Sequence, residues 1–220
     1  MKKRTNILLS IIFVIAVMVL TITVSIGLPI YVRPFYYAHV DALNMAEEWE
    51  VDRQDIIDAY DEVLDFLVLE GREFGTGFLP HSEEGKGHFE DCKVLFDLNR
   101  NALIVSFGVI VLLLLFNKIG LIRLAKPKNI PLSFFAGVGT LVLFASLAIV
   151  VAQDFSSAFT VFHQIFFPGK ENWLFNPYED PIILFMPQQF FMDCAILICA
   201  SILLISIILI IRGIGKKRKD

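Results

Sequence analysis

Cysteine is scarce in this chain: three among 220 residues, at Cys92, Cys194 and Cys199. Their odd number and unlike settings give neither a disulfide framework nor a paired metal-ligand spacing, so all three read as small packing residues. His-Glu-x-x-His, a Walker-type glycine loop, a Gly-x-Ser-x-Gly elbow and a dinucleotide fingerprint are absent, which removes the enzyme classes that depend on them. Internal repeats and low-complexity segments are also lacking. Acidic residues are nearly missing from three stretches. Twelve of the 19 basic residues lie at 2–4, 118–128 and 212–219, and only Asp220 accompanies them, for a sum of +11. The other segments carry 7 bases and 22 acids, a sum of −15.

What fills the chain instead is apolar. Hydrophobic residues make up 56% and the mean hydropathy is +0.67, values that belong to a protein embedded in lipid. Runs of about 20 apolar residues cross about 30 Å of hydrocarbon as helices. The pattern predicts an all-α membrane protein with four transmembrane helices, at about 7–31, 102–124, 130–152 and 189–211. These form a single membrane domain over 1–220. The first run exceeds the 7–15 residues of a signal-peptide core and lacks a clear Ala-x-Ala site, so it reads as a retained anchor. By the positive-inside rule the basic stretches are cytoplasmic, with both termini inside. The acidic segments, about 32–101 and 153–188, are then extracytoplasmic.

Within 32–101, Asp41 to Glu70 reads as helical with a break near Val51-Asp52. Asp52 and Asp55 resemble a capping box, and Ile56, Tyr60, Val63, Leu64, Leu67 and Val68 form an apolar stripe that ends at Gly71. A bent, glycine-bearing loop follows, and Ser82 is a suitable cap for a helix that runs toward the membrane. Gly137 and Gly139 predict close helix contact in the third span. The segment 153–188 is crowded with phenylalanine and interrupted by Pro168, Pro177, Pro181 and Pro187, so it forms no single helix.

Histidine carries the candidate chemistry. On a helix that begins at Ser82, His88 shares a face with Asp91 and Cys92. A carboxylate beside an imidazole raises its basicity and orients it for general-base work. His163 sits among phenylalanines on the same side of the membrane, where burial favours the neutral ring. His81 and His39 are weaker candidates. A metal site from His81, Glu84 and His88 has suitable ligand types but no recognised spacing. Asp193 enters the last span at its outer end, where a carboxylate facing lipid is unfavourable, so a polar partner is expected for it. Arg33, Tyr37, Asn172 and backbone amides are candidate donors to an oxyanion.

Three stretches carry a resemblance. They are Leu79-Pro80-x-Ser82-Glu83-Glu84-x-x-x-His88-x-x-Asp91-Cys92-Lys93, then Phe162-His163-x-x-Phe166 with Asn172-Trp173-x-Phe175-x-Pro177-x-x-Asp180, and Met186-Pro187-x-x-Phe190-Phe191. Together the chain resembles the lipoprotein intramolecular transacylases, four-span membrane proteins of Gram-positive bacteria. The resemblance implies transfer of the sn-2 acyl chain of diacylglyceryl-cysteine to the α-amino group of the same cysteine, giving an N-acylated lyso-form lipoprotein. It implies His88 and His163 as catalytic residues, and residue chemistry and position add Asp91, Asn172, Asp193, Arg33 and Tyr37 in supporting roles. The partners expected are a diacylated lipoprotein and membrane lipid, with no cofactor, metal or nucleic acid, in the bacterial cell membrane with the site at the outer leaflet. Two alternatives stay open at this level. One is an acyl-enzyme on Cys92 or Ser82 with His88 as base. The other is a non-catalytic scaffold whose acidic cap binds a partner protein.

Overall fold

The computed structural model describes residues 5–217, and the side chains of 146–152 and 215–217 lie outside the described set. The basic residues at 2–4, 216 and 217 and the sequence Arg218-Lys219-Asp220, on which the terminal orientation rests, therefore fall outside it wholly or in their side chains. Every regular element among the described residues is helical: α1 (Ile7–Tyr31), α2 (Pro34–Ala42), α3 (Met45–Glu48), α4 (Arg53–Val68), α5 (Glu83–Lys118), α6 (Leu132–Gln153), α7 (Phe155–Phe166) and α8 (Gln188–Lys217). Short 3₁₀ turns lie at Pro127–Asn129 and Pro181–Phe185. Three helices, α1, α5 and α8, are long and apolar enough to cross a membrane. In α6 the described apolar stretch is Leu132–Ala145.

The chain packs as two compact units. The first is drawn, among the described residues, from the ranges 1–27, 99–150 and 197–220. At 1.5 Å per residue the 25-residue α1 is about 37 Å long, enough for the hydrocarbon thickness. The predicted second span differs from the observed helix. It was expected to reach Leu124, but α5 ends at Lys118 and Gly120 takes a left-handed φ of +75°. A residue without Cβ accepts that conformation at little cost, so the chain leaves the helix there. The tail that follows is tied down by Asn6 N–H donating to Arg123 O at 2.9 Å and Ala125 N–H to Ser10 Oγ at 2.8 Å. Gly137 fits where a Cβ would lie 2.9 Å from Ser206 O, so α6 and α8 approach at backbone distance. Packing of this kind replaces the hydrophobic drive that helices lack in lipid.

The second unit holds 28–98 and 151–196. Its core is aromatic. Tyr36 stacks on Tyr60 with ring centroids 3.5 Å apart, Phe190 stands edge-on to both, and Tyr36 Oη donates to Phe185 O at 2.8 Å. The predicted helix over 41–70 is three pieces. Besides the break at 49–52, the chain turns at Leu43-Asn44, where Asn44 has φ 49°. Asn tolerates this left-handed region better than most residues. Asp52 caps α4 by accepting from Gln54 N–H at 2.7 Å. One face of α4, Ile56, Ile57, Ala59, Tyr60, Val63, Leu64, Phe66 and Leu67, is buried. Its carbonyl end receives Lys93, whose Nζ donates to Phe66 O and Leu69 O and lies 4.7 Å over the Phe66 ring. A cation suits the negative end of a helix dipole.

Candidate active site

The front of α5 is held by a carboxylate distant in sequence. Asp180, buried at 4% exposure, accepts from Ser82 N–H at 2.8 Å and from Ser82 Oγ at 2.7 Å. Ser82 Oγ in turn accepts from Gly85 N–H at 2.9 Å, which makes it the expected cap. A negative charge is stabilised at a helix N-terminus. Its approach demands glycine, because a Cβ at Gly85 would lie 2.2 Å from Asp180 Oδ1. This clamp fixes the turn that carries His88. Residues 83–100 of α5 include eight charged side chains, so the lipid-soluble part begins after Arg100 and the His88 turn lies outside it.

His163 is carried by α7. Asp154 caps that helix by accepting from Ser157 N–H at 3.1 Å. His163 Nδ1–H donates to Phe159 O at 2.7 Å. A carbonyl oxygen only accepts, so this bond fixes the tautomer and leaves Nε2 as a bare lone pair in the neutral ring. Trp173 stacks on the imidazole with centroids 4.7 Å apart and is itself held by its Nε1–H donating to Lys170 O at 3.1 Å.

The two imidazoles, 75 residues apart in sequence, face one another with ring centroids 5.8 Å apart. Phe167 and Phe175 stand edge-on to His88 at 5.0 and 5.4 Å, and Phe159 and Phe162 flank His163. His88 and His163 are 5% and 7% exposed. That apolar enclosure sets their protonation. Burial above all, then the neighbouring His163, pushes the His88 imidazolium down to about 4 against a weaker opposing pull from Asp91. Burial also lowers His163, and the Phe159 carbonyl bond partly offsets it. Both rings are neutral at pH 7.

Asp91 departs from its expected role. It shares the helix face with His88, yet its carboxylate pairs with Lys170 and accepts from Asn172 Nδ2 at 3.2 Å. No described hydrogen bond runs from Asp91 to His88. Burial raises the carboxyl, but the Lys170 and Asn172 hydrogen bonds outweigh it and hold Asp91 below the usual range. Its ionised form is a clasp that ties the 167–173 loop to α5. The two side chains that claim the carboxylate come from a loop that only the fold brings near.

The candidate nucleophiles are both committed. Cys92 Sγ lies 3.4 Å from His88 Nε2. Burial, with a small contribution from Asp91, pushes its thiol up to about 12. With the imidazolium at about 4, no thiolate–imidazolium pair forms. Ser82 Oγ spends its proton on Asp180 and its acceptor on Gly85. Cys92→Ala is therefore expected to retain substantial acyl-shift activity, because no acyl chain passes through the thiol, and to lose only what its contact with His88 Nε2 contributes to holding that ring. Turnover is read by lipopeptide fragmentation, and an acyl chain trapped on Cys92 would contradict it.

The remaining expected supports lie in other clusters. Arg33 pairs with Asp61 at 3.1 Å and with Asp65, and Tyr37 Oη donates to Asp61 at 2.7 Å. Asp193 accepts from Gln189 Nε2 and contacts His39 Nε2 at 3.1 Å, while His39 Nδ1–H donates to Phe35 O at 2.7 Å. Arg33, Tyr37 and Asp193 make no described bond to either central histidine. The polar partners of Asp193 are thus His39 and Gln189. His81 stands edge-on to Phe74 and contacts Thr76 Oγ1, and with Glu73 and Glu83 it lines a separate cavity of about 470 Å³. Among the described residues, His81, Glu84 and His88 do not gather into a metal-ligand set. Sequence reasoning did not assign a role to Asp180, Lys170 or the Phe159 carbonyl. Asp180 closes one of the resembling motifs, so a signal for it existed, whereas a backbone carbonyl leaves none.

A family model described as lipoprotein intramolecular transacylase Lit matches residues 11–191. No match is found among curated proteins. The fold is similar to the in meso structure of the membrane-integral lipoprotein intramolecular transacylase Lit from Bacillus cereus, with a TM-score of 0.85 and 24% identity over 97% of both chains. Two variants of that protein, with a histidine replaced by arginine or by alanine, match with TM-scores of 0.79 at 22% and 23% identity. They cover 96% and 97% of this chain and 92% and 95% of theirs. The likeness extends through both units and through every stretch that carried the sequence resemblance, and the chain belongs to the lipoprotein intramolecular transacylase family.

Proposed function

We propose that this protein moves the sn-2 acyl chain of a diacylglyceryl-cysteine lipoprotein from its glyceryl oxygen to the α-amino nitrogen of the same cysteine. The observation that carries the reading is a pair of buried, neutral imidazoles 5.8 Å apart, one of them with its tautomer locked. Donor ester and acceptor amine share one molecule, so positioning alone supplies roughly 7–11 kcal/mol at effective molarities of about 10⁵–10⁸ M. What remains is proton transfer and charge stabilisation.

The geometry supports His163 as the base, the reverse of the expectation that Asp91 would activate His88. The amine nitrogen attacks the ester carbonyl carbon and gives a proton to His163 Nε2. Stacked Trp173 supports the resulting imidazolium through its π face. His88 stays neutral. With the protonated Cys92 thiol as the donor to His88 Nε2, the ring proton sits on Nδ1, a buried atom with no partner among the described residues. That N–H donates to the oxyanion. Collapse breaks the carbon–oxygen bond to glycerol, and His163 Nε2–H returns the proton to the leaving oxygen. Nitrogen gains the acyl group, oxygen gains the proton, and neither cofactor nor enzyme nucleophile takes part.

In the membrane we read α1, α5, α6 and α8 as four spans with both termini cytoplasmic. The charge segregation then puts the histidine pair at the outer leaflet. The test of the function is conversion of a synthetic diacyl lipopeptide by the purified protein. An acyl shift leaves mass unchanged, so fragmentation must find the chain on the cysteine nitrogen. A peptide that keeps both ester-linked chains counts against the activity.

The same assay yields a pH profile. The attacking amine has a free pKa of about 7.7–8.0, so the rate rises with pH through that range. Both histidines are lowered from 6.5, so neither adds an inflection at 6.5 or above. A rising limb centred near 6.5 would contradict the buried, neutral pair. Stability follows the linked direction. The unfolded chain protonates His88 at 6.5 and the folded chain only near 4, so stability declines as pH falls through that window.

A further inference from the structure

Two polar atoms in this site are buried without a partner among the described residues: His88 Nδ1 and Asn172 Oδ1. The chemistry of Asp91 sets the orientation of the second. A carboxylate only accepts, so the Asn172 amide must turn its NH₂ toward Asp91 Oδ2 and its oxygen away. That NH₂ is thereby spent and is not the oxyanion donor that the sequence suggested. The Asn172 side chain lies against Gly87, one residue before His88, and its neighbour Trp173 stacks on His163. Asn172 Oδ1 is therefore a bare acceptor, on the residue that lies between the Asp91 clasp and the tryptophan stacked on His163. A buried amide oxygen left without a donor is unfavourable, which is the ordinary signature of a group matched by a ligand.

We propose that Asn172 Oδ1 accepts an N–H from the α-amine of the substrate cysteine and so holds the nucleophile in place. This rests on the transacylase reading and deepens it. The neutral amine is then fully accounted for: its lone pair faces the ester carbon, one hydrogen goes to His163 Nε2 and one to Asn172 Oδ1. His88 Nδ1–H serves the carbonyl oxygen. Asp91 and Lys170 act as positioning residues, since Asp91 sets which way the amide points. The occupant of this corner is a primary amine, and the N-acylated product, a secondary amide, keeps one N–H and makes only one of the two bonds. The corner therefore holds the product less well than the substrate.

The experiment compares binding of two non-hydrolysable ether analogues of the diacyl lipopeptide to the purified full-length protein at about pH 9, where the amine is neutral. One analogue keeps the α-amine and the other has hydrogen in its place. Wild type is expected to prefer the amine by about tenfold to a hundredfold, the range for one well-made hydrogen bond to a desolvated group. Asn172→Leu and Asn172→Ala should bring that preference down to the share due to His163 alone, with binding of the des-amino analogue retained; the lost bond to Asp91 lowers the melting temperature, while the Lys170–Asp91 pair keeps the loop on α5. Equal binding of both analogues by wild type overturns the proposal without any variant. Undiminished preference in the leucine variant overturns it as well. Failure of the wild type to shift an acyl chain on the ester substrate overturns the transacylase reading instead, and the two failures are read in separate assays.

Discussion

His163→Ala is expected to lower the acyl-shift rate by about 10²–10⁴-fold, the usual worth of a positioned general acid–base. The protein should still insert and fold. His163 packs among Phe159, Phe162, Phe167 and Trp173, and its one hydrogen bond is to the carbonyl of its own helix at 2.7 Å. Removing the ring leaves an apolar hollow rather than a broken network. The measurement is single-turnover conversion of a diacyl lipopeptide by detergent-purified protein, with melting as the control for folding. His163→Gln offers a sharper contrast. It restores polarity without a lone pair of comparable basicity, and it should be nearly as slow as alanine. Wild-type turnover in either variant would remove His163 from the proton path.

His88→Ala is expected to cost about 10²–10³-fold, the loss of one oxyanion donor, with the pH profile of the residual activity unchanged. The imidazolium is held down at about 4 by burial and by His163, so the ring offers a neutral N–H across the working pH range and transfers no proton. A base variant and a donor variant should then differ in kind. Loss of His163 removes the proton carrier, while loss of His88 leaves a slow reaction that still rises with the substrate amine near 8. The double variant should be only modestly slower than the worse single one, because groups that act on one transition state are not additive. An inverted result, with His88→Ala reshaping the profile and His163→Ala leaving it intact, would restore the assignment expected from sequence.

An apolar box suits the proposed reaction. Attack by a neutral amine on an ester develops opposite charges within one small volume. In water each is solvated, at the expense of reorganisation. Here Phe167 and Phe175 exclude water from His88, and Trp173 covers His163. The fixed N–H and the fixed lone pair then act without solvent screening. The neutrality of both histidines follows from the same burial.

The sequence alone determined the lipid-soluble character, the helical class and the family. It also located α1 and the start of α5, because hydropathy runs and a serine cap are local signals. The gathering of His88 and His163 was legible only as a suspicion, two histidines on acidic, aromatic segments. Their separation of 5.8 Å belongs to the fold. Tertiary structure decided the rest for identifiable reasons. Periodicity put Asp91 on the His88 face, yet the loop carrying Lys170 and Asn172 took its carboxylate, since an ion pair and an amide hydrogen bond outweigh mere proximity on a helix. The tautomer of His163 rests on a backbone carbonyl, which every residue possesses and no sequence marks. Arg33 and Tyr37 are candidate oxyanion donors by sequence, but α4 brings Asp61 and Asp65 against Arg33 and Asp61 against Tyr37. Asp180 clamps a helix 98 residues earlier because a buried carboxylate needs donors, and the open N–H groups of a helix start are the nearest supply. Spacing along the chain names the candidates for each partnership, and three-dimensional competition for hydrogen bonds selects among them.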